Sequence, residues 1–252
     1  MAHYRLDLEY DGSDFLGWQV QPEGRTVQGV VEAALGRILR ETVRVTAAGR
    51  TDRGVHASGQ VAHCAGRLQL EPRDLTRALA GQLPADVRLR RLRRVAPDFH
   101  ARYGARCRHY IYLVSGRPST FARRYSGIVE GTLDLAAMQG AARAIQGTHD
   151  FRPFAVRGDQ ETTGICQVSD ARWDRWRDGA RFSVTADRFL MRMVRMLVGA
   201  MIEVGRGRLP ASAVAEALDA PVPARRPPAA PAAGLYLAGV GYPSAASWRI
   251  HS

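Results

Sequence analysis

The stretch "MAHYRLDLEYDGSDFLGWQVQPEGRTVQGVVEAALGRILR", residues 1–40, carries two hydrophobic periods in succession. Residues 3–9 alternate apolar and polar side chains, the period of two that a half-buried strand requires. Thr26 then precedes Val27, Val30, Val31, Ala34, Leu35 and Ile38, whose spacing predicts a helix over 26–40 with Thr26 as its N-cap. Outward from this β-then-α start, residues 43–49 and 59–65 read as short strands. Residues 72–83 read as a helix that starts at Pro72 and stops before Pro84, and 86–96 as a strand. The first half therefore has the order β-α-β-β-α-β.

The same order returns after residue 104, with a strand at 105–115, a helix at 134–146, strands at 163–175 and 179–187, helices at 189–204 and 211–219, and a strand at 235–242. The expected fold is α+β, with two ferredoxin-like halves whose antiparallel sheets lie side by side. Helices cover one face, and the active-site cleft lies between the halves. The expected domains are 1–103 and 104–252. Residues 221–234, "PVPARRPPAAPAAG", read as an extended, rigid connector to the last strand.

A chain of 252 residues that is 46% hydrophobic can bury a substantial core. Its net charge of +12 and sequence pI near 10.6 point to a polyanion, nucleic acid before anionic membrane. All 36 basic side chains are arginine, since the sequence holds no lysine. Phosphate-clamping and Schiff-base lysines are therefore excluded. Cys64, Cys107 and Cys166 are far apart and odd in number, and the seven histidines lack metal-ligand spacing, so neither a disulfide framework nor a metal is expected. The N-terminus has no charged region followed by an apolar signal core, and "FLMRMVRMLVGAMIEVG" is interrupted by Arg192, Arg195 and Glu203. A cytoplasmic protein is expected.

The chemistry converges on "AAGRTDRGVHASGQVAH", residues 47–63, where Asp52 stands between Arg50 and Arg53 in a glycine-punctuated loop. An aspartate there is either a turn former or a side chain turned into a cleft. Arg188, Arg192 and Arg195 recur at i, i+4 and i+7 along an apolar helix, which predicts one cationic stripe. Arg188 and Arg192 can reach water or phosphates. Arg195 lies deeper in the apolar run and requires a carboxylate, for which Asp52 is the candidate, and that pairing would keep Asp52 ionised. Tyr110 and Tyr112 share one face of a strand and are either core or a stacking surface for a base. His56 and His63 do not make a triad with Ser58, and His56 reads as a brace for the loop.

"AGRTDRGVHASGQVAH" closely resembles the active-site motif of the TruA-type tRNA pseudouridine synthases. With it come "YDGSDFLGWQ", "RTVQG", "DFHARY" at 98–103, "RHYIY" at 108–112, "THDFRPF" at 148–154, "MVRMLVGAMIEVG" at 193–205 and "GLYL" at 234–237, in order along nearly the whole chain. The resemblance implies an enzyme that isomerises uridine to pseudouridine at positions 38, 39 and 40 of the tRNA anticodon stem-loop, without cofactor or metal, as a cytosolic homodimer. By motif position it implies Asp52 as catalytic aspartate and Tyr110 as the aromatic residue on the target base. It makes Arg195 the ion-pair partner of Asp52 and Arg50 a residue holding the flipped nucleotide. Arg53, Pro153 and Ala233 depart from the family pattern, and none of them is Asp52, Tyr110 or Arg195 or alters the motif position of those three. A binding module without chemistry, the same chemistry on another RNA, and glycosidic hydrolysis are the competing readings.

Overall fold

The computed structural model describes residues 1–67, 70–156, 163–220 and 227–243. The elements run β1 (Ala2–Tyr10), α1 (Val27–Leu39), β2 (Thr46–Ala47), β3 (His56–Gly66), α2 (Pro72–Ala80), β4 (Val87–Arg94), β5 (Cys107–Ser115), β6 (Gly127–Ile128), α3 (Leu135–Ala144), β7 (Gly147–Asp150), β8 (Ile165–Trp176), β9 (Gly179–Ala186), α4 (Met193–Gly205), α5 (Ala213–Asp219) and β10 (Leu235–Gly241). This is an α+β chain. Its described residues form two compact units, Met1–Arg106 with Tyr236–Pro243, and Cys107–Leu235.

In the first unit the strands lie in the order β4-β1-β3-β10, and β2 also pairs with β3. β1 runs antiparallel to both neighbours, so Leu6 stands opposite Ala62 on one side and Leu92 on the other. The alternation in the sequence becomes a two-faced strand. Tyr4, Leu6 and Leu8 are buried, while His3, Arg5, Asp7 and Glu9 are half-buried. Val31, Ala34 and Leu35 of α1 and Leu75 and Leu79 of α2 complete this core. Each fully buried leucine or valine contributes about 1.5–3 kcal/mol. Thr26 caps α1 as its sequence position predicts, its hydroxyl accepting the Gly29 N–H at 3.3 Å.

Three expectations are corrected here. The strand predicted over 43–49 shrinks to Thr46–Ala47. Side chains of α1 satisfy the backbone before it: Val45 N–H donates to Glu32 Oε1 at 2.9 Å, and Gln28 Nε2 donates to the Val45 carbonyl at 3.2 Å. β3 starts at His56, ahead of the predicted residue 59, because Tyr236 and Leu237 of β10 pair with His56 and Ala57. That pairing is parallel, as is Val114 with Gly127 between β5 and β6, so the sheets are not purely antiparallel.

The second unit has the antiparallel order β5-β9-β8-β7. α4 begins at Met193, later than the predicted residue 189, because Arg192 at its N-cap is left-handed, with φ 61°. Upstream, Asp187 Oδ1 accepts the N–H groups of Gln167 and Arg188 at 2.9 and 2.7 Å and ties off the end of β9. Arg188 and Arg192 thus precede the helix, and the predicted three-arginine stripe is absent; Arg195 alone of the three lies on it. Among the described residues no helix is long and apolar enough to cross a membrane. Of the predicted connector, 221–226 lie outside the described residues. Residues 227–231 follow α4 closely, where a side chain on Gly199 would run into the Pro228 carbonyl.

Candidate active site

The loop between β2 and β3 is built by backbone contacts with the segment that follows β1. Gly54 takes φ 76°, and Val55 N–H donates to the Asp52 carbonyl at 3.1 Å, closing a tight turn. Gly54 N–H donates to the Phe15 carbonyl at 3.3 Å and Trp18 N–H to the Thr51 carbonyl at 3.0 Å. The approach is close enough to demand glycine. Gly12 abuts the Val55 carbonyl, and at Gly17, whose φ is +106°, a Cβ would lie 2.7 Å from the Thr51 carbonyl. The motifs "YDGSDFLGWQ" and "AGRTDRGVH" are therefore two sides of one structure.

Below the loop lies a buried polar network. Thr51 and Gln60 are buried, Tyr10 and Thr51 share a hydrogen bond of 2.8 Å between their hydroxyls, and Gln60 Nε2 donates to Tyr10 Oη at 3.3 Å and to the Gly49 carbonyl at 2.7 Å. Burial pushes the Tyr10 phenol up to about 12, with the Thr51 and Gln60 hydrogen bonds opposing it. His56 is buried; its Nδ1 lies 3.1 Å from the Gly12 amide nitrogen and 3.2 Å from Asp11 Oδ1, and its ring stacks on Tyr236 with centroids 4.7 Å apart. With Nδ1 used in this way, His56 braces the loop as its sequence context suggested. On this foundation Asp52 is half-buried, flanked by exposed Arg50 and Arg53.

In the second unit, the residues of β5 opposite β9 include Tyr110, opposite Val184, and Tyr112, opposite Phe182. Tyr112 is a core strut. Its hydroxyl donates to the Pro231 carbonyl at 2.9 Å, Gly127 and Gly234 close around its ring, and burial raises its pKa. Tyr110 is buried as well, its ring edge-on to Phe189 with centroids 5.0 Å apart. Arg195 is half-buried on α4. Its Nε donates to the Ala230 carbonyl at 2.7 Å, and Ala230 N–H donates back to the Arg195 carbonyl at 2.9 Å. This reciprocal pair clamps the proline-rich segment to the helix and fixes the direction of the guanidinium.

Asp52 and Arg50 thus share one loop of the first unit, and Tyr110 and Arg195 belong to the second. The supports of the Asp52 loop, Tyr10 and Gln60, were not singled out from the sequence. Their signal was present in the tyrosine that opens "YDGSDFLGWQ" and the glutamine of "SGQVAH", polar residues at positions whose alternation faces the core.

A family model described as "tRNA pseudouridine synthase" matches residues 8–104 and 141–243. A protein named tRNA pseudouridine synthase A from Chlorobium luteolum is 44% identical over 245 residues, covering 96% of each chain. Proteins of the same name from Moorella thermoacetica and Bacteroides thetaiotaomicron are 44% and 39% identical, covering 96% of this chain and 100% and 91% of their own. The matched segments include the aspartate loop and its braces, β4 and α4. The chain belongs to the tRNA pseudouridine synthase family.

Proposed function

We propose that this enzyme isomerises uridine to pseudouridine at positions 38, 39 and 40 of the tRNA anticodon stem-loop, with Asp52 as the catalytic carboxylate. The observation that carries this reading is the braced loop. A rigid network of Tyr10, Thr51 and Gln60 lies beneath one half-buried carboxylate between two arginines, within a chain that matches the family along most of its length. The reaction breaks the N1–C1′ bond, turns the uracil and joins C5 to C1′. No atom is gained or lost and no cofactor is consumed. An ionised carboxylate serves it as nucleophile or as base toward a sugar proton.

Tyr110 is read as the surface on which the extruded base stacks, and Arg195 as the ion-pair partner of Asp52. Arg50 is read as the residue that holds the flipped nucleotide. The two halves, 1–103 and 104–252, are read as ferredoxin-like. Support in the first unit is the antiparallel run β4-β1-β3-β2. A cytoplasmic homodimer is proposed, with Cys64, Cys107 and Cys166 as thiols and not disulfides, in keeping with a reducing compartment.

Incubation with unmodified tRNA transcripts followed by site-resolved mapping tests the assignment. Pseudouridine confined to 38–40 is expected. Pseudouridine elsewhere assigns another RNA position, and free uracil replaces isomerisation with hydrolysis. Light scattering on the eluted protein tests the dimer.

A further inference from the structure

The first unit carries an arginine cluster apart from the Asp52 loop. Register places Arg5 of β1 directly opposite Arg93 of β4, and Asp7 opposite Arg91. Leu6 and Leu92 fill the core side, so these four side chains share the opposite face of the sheet. Like charges set directly across a strand pair are unfavourable, yet here two arginines face each other. Arg93 Nε is buried without a hydrogen-bond partner, and burial, followed by the Arg5 charge, pushes the Arg93 pKa down. The acids on this face do not balance it. Asp7 accepts from Arg5 Nε at 2.6 Å, and Glu9 is held by Arg90. His63, opposite Arg5 in β3, uses Nδ1 to accept the Ala101 N–H at 3.1 Å. Around Arg93 the face therefore carries more cationic than anionic charge.

Next to it lies "DFHARY", residues 98–103, which the catalytic reading leaves unused. The Arg5 guanidinium is 5.9 Å from the Phe99 ring, and the His63 and His100 rings are 4.7 Å apart. His100 Nδ1 accepts the N–H groups of Arg102 and Tyr103, both at 3.1 Å, which locks its ring. Tyr103 stacks on that ring with centroids 4.4 Å apart and planes 29° from parallel, and it is 80% exposed. A large aromatic ring held flat on one face and open to solvent is suited to stacking a nucleobase.

We propose that Arg5, Arg91 and Arg93 hold a backbone phosphate of the RNA substrate while Tyr103 stacks a neighbouring unpaired base. The site rests on the tRNA substrate class proposed above and adds a contact that supplies affinity, not chemistry.

The test compares Arg93→Gln, Arg93→Lys, Tyr103→Ala and Tyr103→Trp in the full chain with unmodified tRNA, and uses Arg73→Gln, exposed on α2, as the control. Arg93→Gln is expected to raise KM about tenfold and to flatten the log–log salt dependence of binding by about one. Its thermal midpoint should hold or rise, because the opposed charge is gone. Arg93→Lys should recover most of the affinity. Tyr103→Ala should raise KM, and Tyr103→Trp should restore it. Unchanged KM and salt slope in Arg93→Gln overturns the proposal, as does a lowered midpoint with kcat and KM failing together. Filter binding reads the slope without turnover, so wild-type protein that binds tRNA but forms no pseudouridine counts against the catalytic reading alone.

Discussion

The Tyr10 hydroxyl lies 2.8 Å from the Thr51 hydroxyl, joining the end of the first strand to the residue immediately before Asp52. Gln60 closes the network by donating both to Tyr10 and to the Gly49 carbonyl. The loop that presents the carboxylate is therefore positioned from beneath by side chains with no exposure to substrate. Removing one hydroxyl from such a network leaves its partners buried and unsatisfied, at a cost of about 1–3 kcal/mol. Tyr10→Phe should lower the thermal midpoint and reduce kcat several-fold while KM for tRNA stays near wild type. Thermal melts and steady-state kinetics check this, and an unaffected kcat would separate the network from catalysis.

Alkaline stability should follow three groups whose pKa burial raises, Cys64 from 9.0 to about 12, Tyr10 from 10.0 to about 12, and Tyr112 from 10.0. In each case the unfolded chain loses its proton first, so stability is complete below the unfolded pKa and is lost as pH rises toward the folded one. The decline should begin near pH 9 with Cys64 and steepen near pH 10 with Tyr10 and Tyr112. Each group contributes a slope of about 1.4 kcal/mol per pH unit within its window. Denaturant melts across this range check it, and Cys64→Ala should move the onset up to near pH 10.

Gly12 lies against the Val55 carbonyl, where a methyl group has no space. Gly12→Ala must push the two loops apart, an overpacking cost of about 1–3 kcal/mol. The expected result is a lower midpoint and a loss of kcat larger than that of Tyr10→Phe, because the Asp52 turn itself is displaced. Wild-type activity in this variant would show that the loops tolerate separation.

Arg195 spends its Nε on the Ala230 carbonyl. A hydrogen bond from a charged donor contributes about 1.5–3 kcal/mol, and lysine cannot reproduce the forked geometry. Arg195→Lys should therefore lose both stability and kcat despite keeping its charge, whereas a role limited to bulk charge predicts retention of both. Melts and single-turnover rates distinguish the two.

How much of this was legible depended on the range of the cause. Thr26 capping α1, Pro72 opening α2 and the alternation of β1 are local effects, and the structure follows the sequence there. The early start of β3 was not legible, because its partner residue is 180 positions away in sequence, with Tyr236 pairing with His56. The lost strand at 43–45 was likewise set from a distance, by Gln28 and Glu32 taking its backbone bonds. The arginine stripe failed for a conformational reason: periodicity cannot register that Arg192 turns left-handed just where the helix would begin. At the site, the aspartate and its flanking arginines were visible as a motif, whereas the Tyr10–Gln60 support required the register of β1 against β3, which pairs Leu8 with Gln60.

The central claim is that Asp52 carries the chemistry, and the most direct measurement is pseudouridine formation by Asp52→Asn at saturating unmodified tRNA, read by site-resolved mapping beside a binding measurement. Loss of product at 38–40 by at least about 1,000-fold, with tRNA affinity within a few-fold of wild type, is the predicted result. Pseudouridine at the wild-type rate from the Asp52→Asn protein would contradict it.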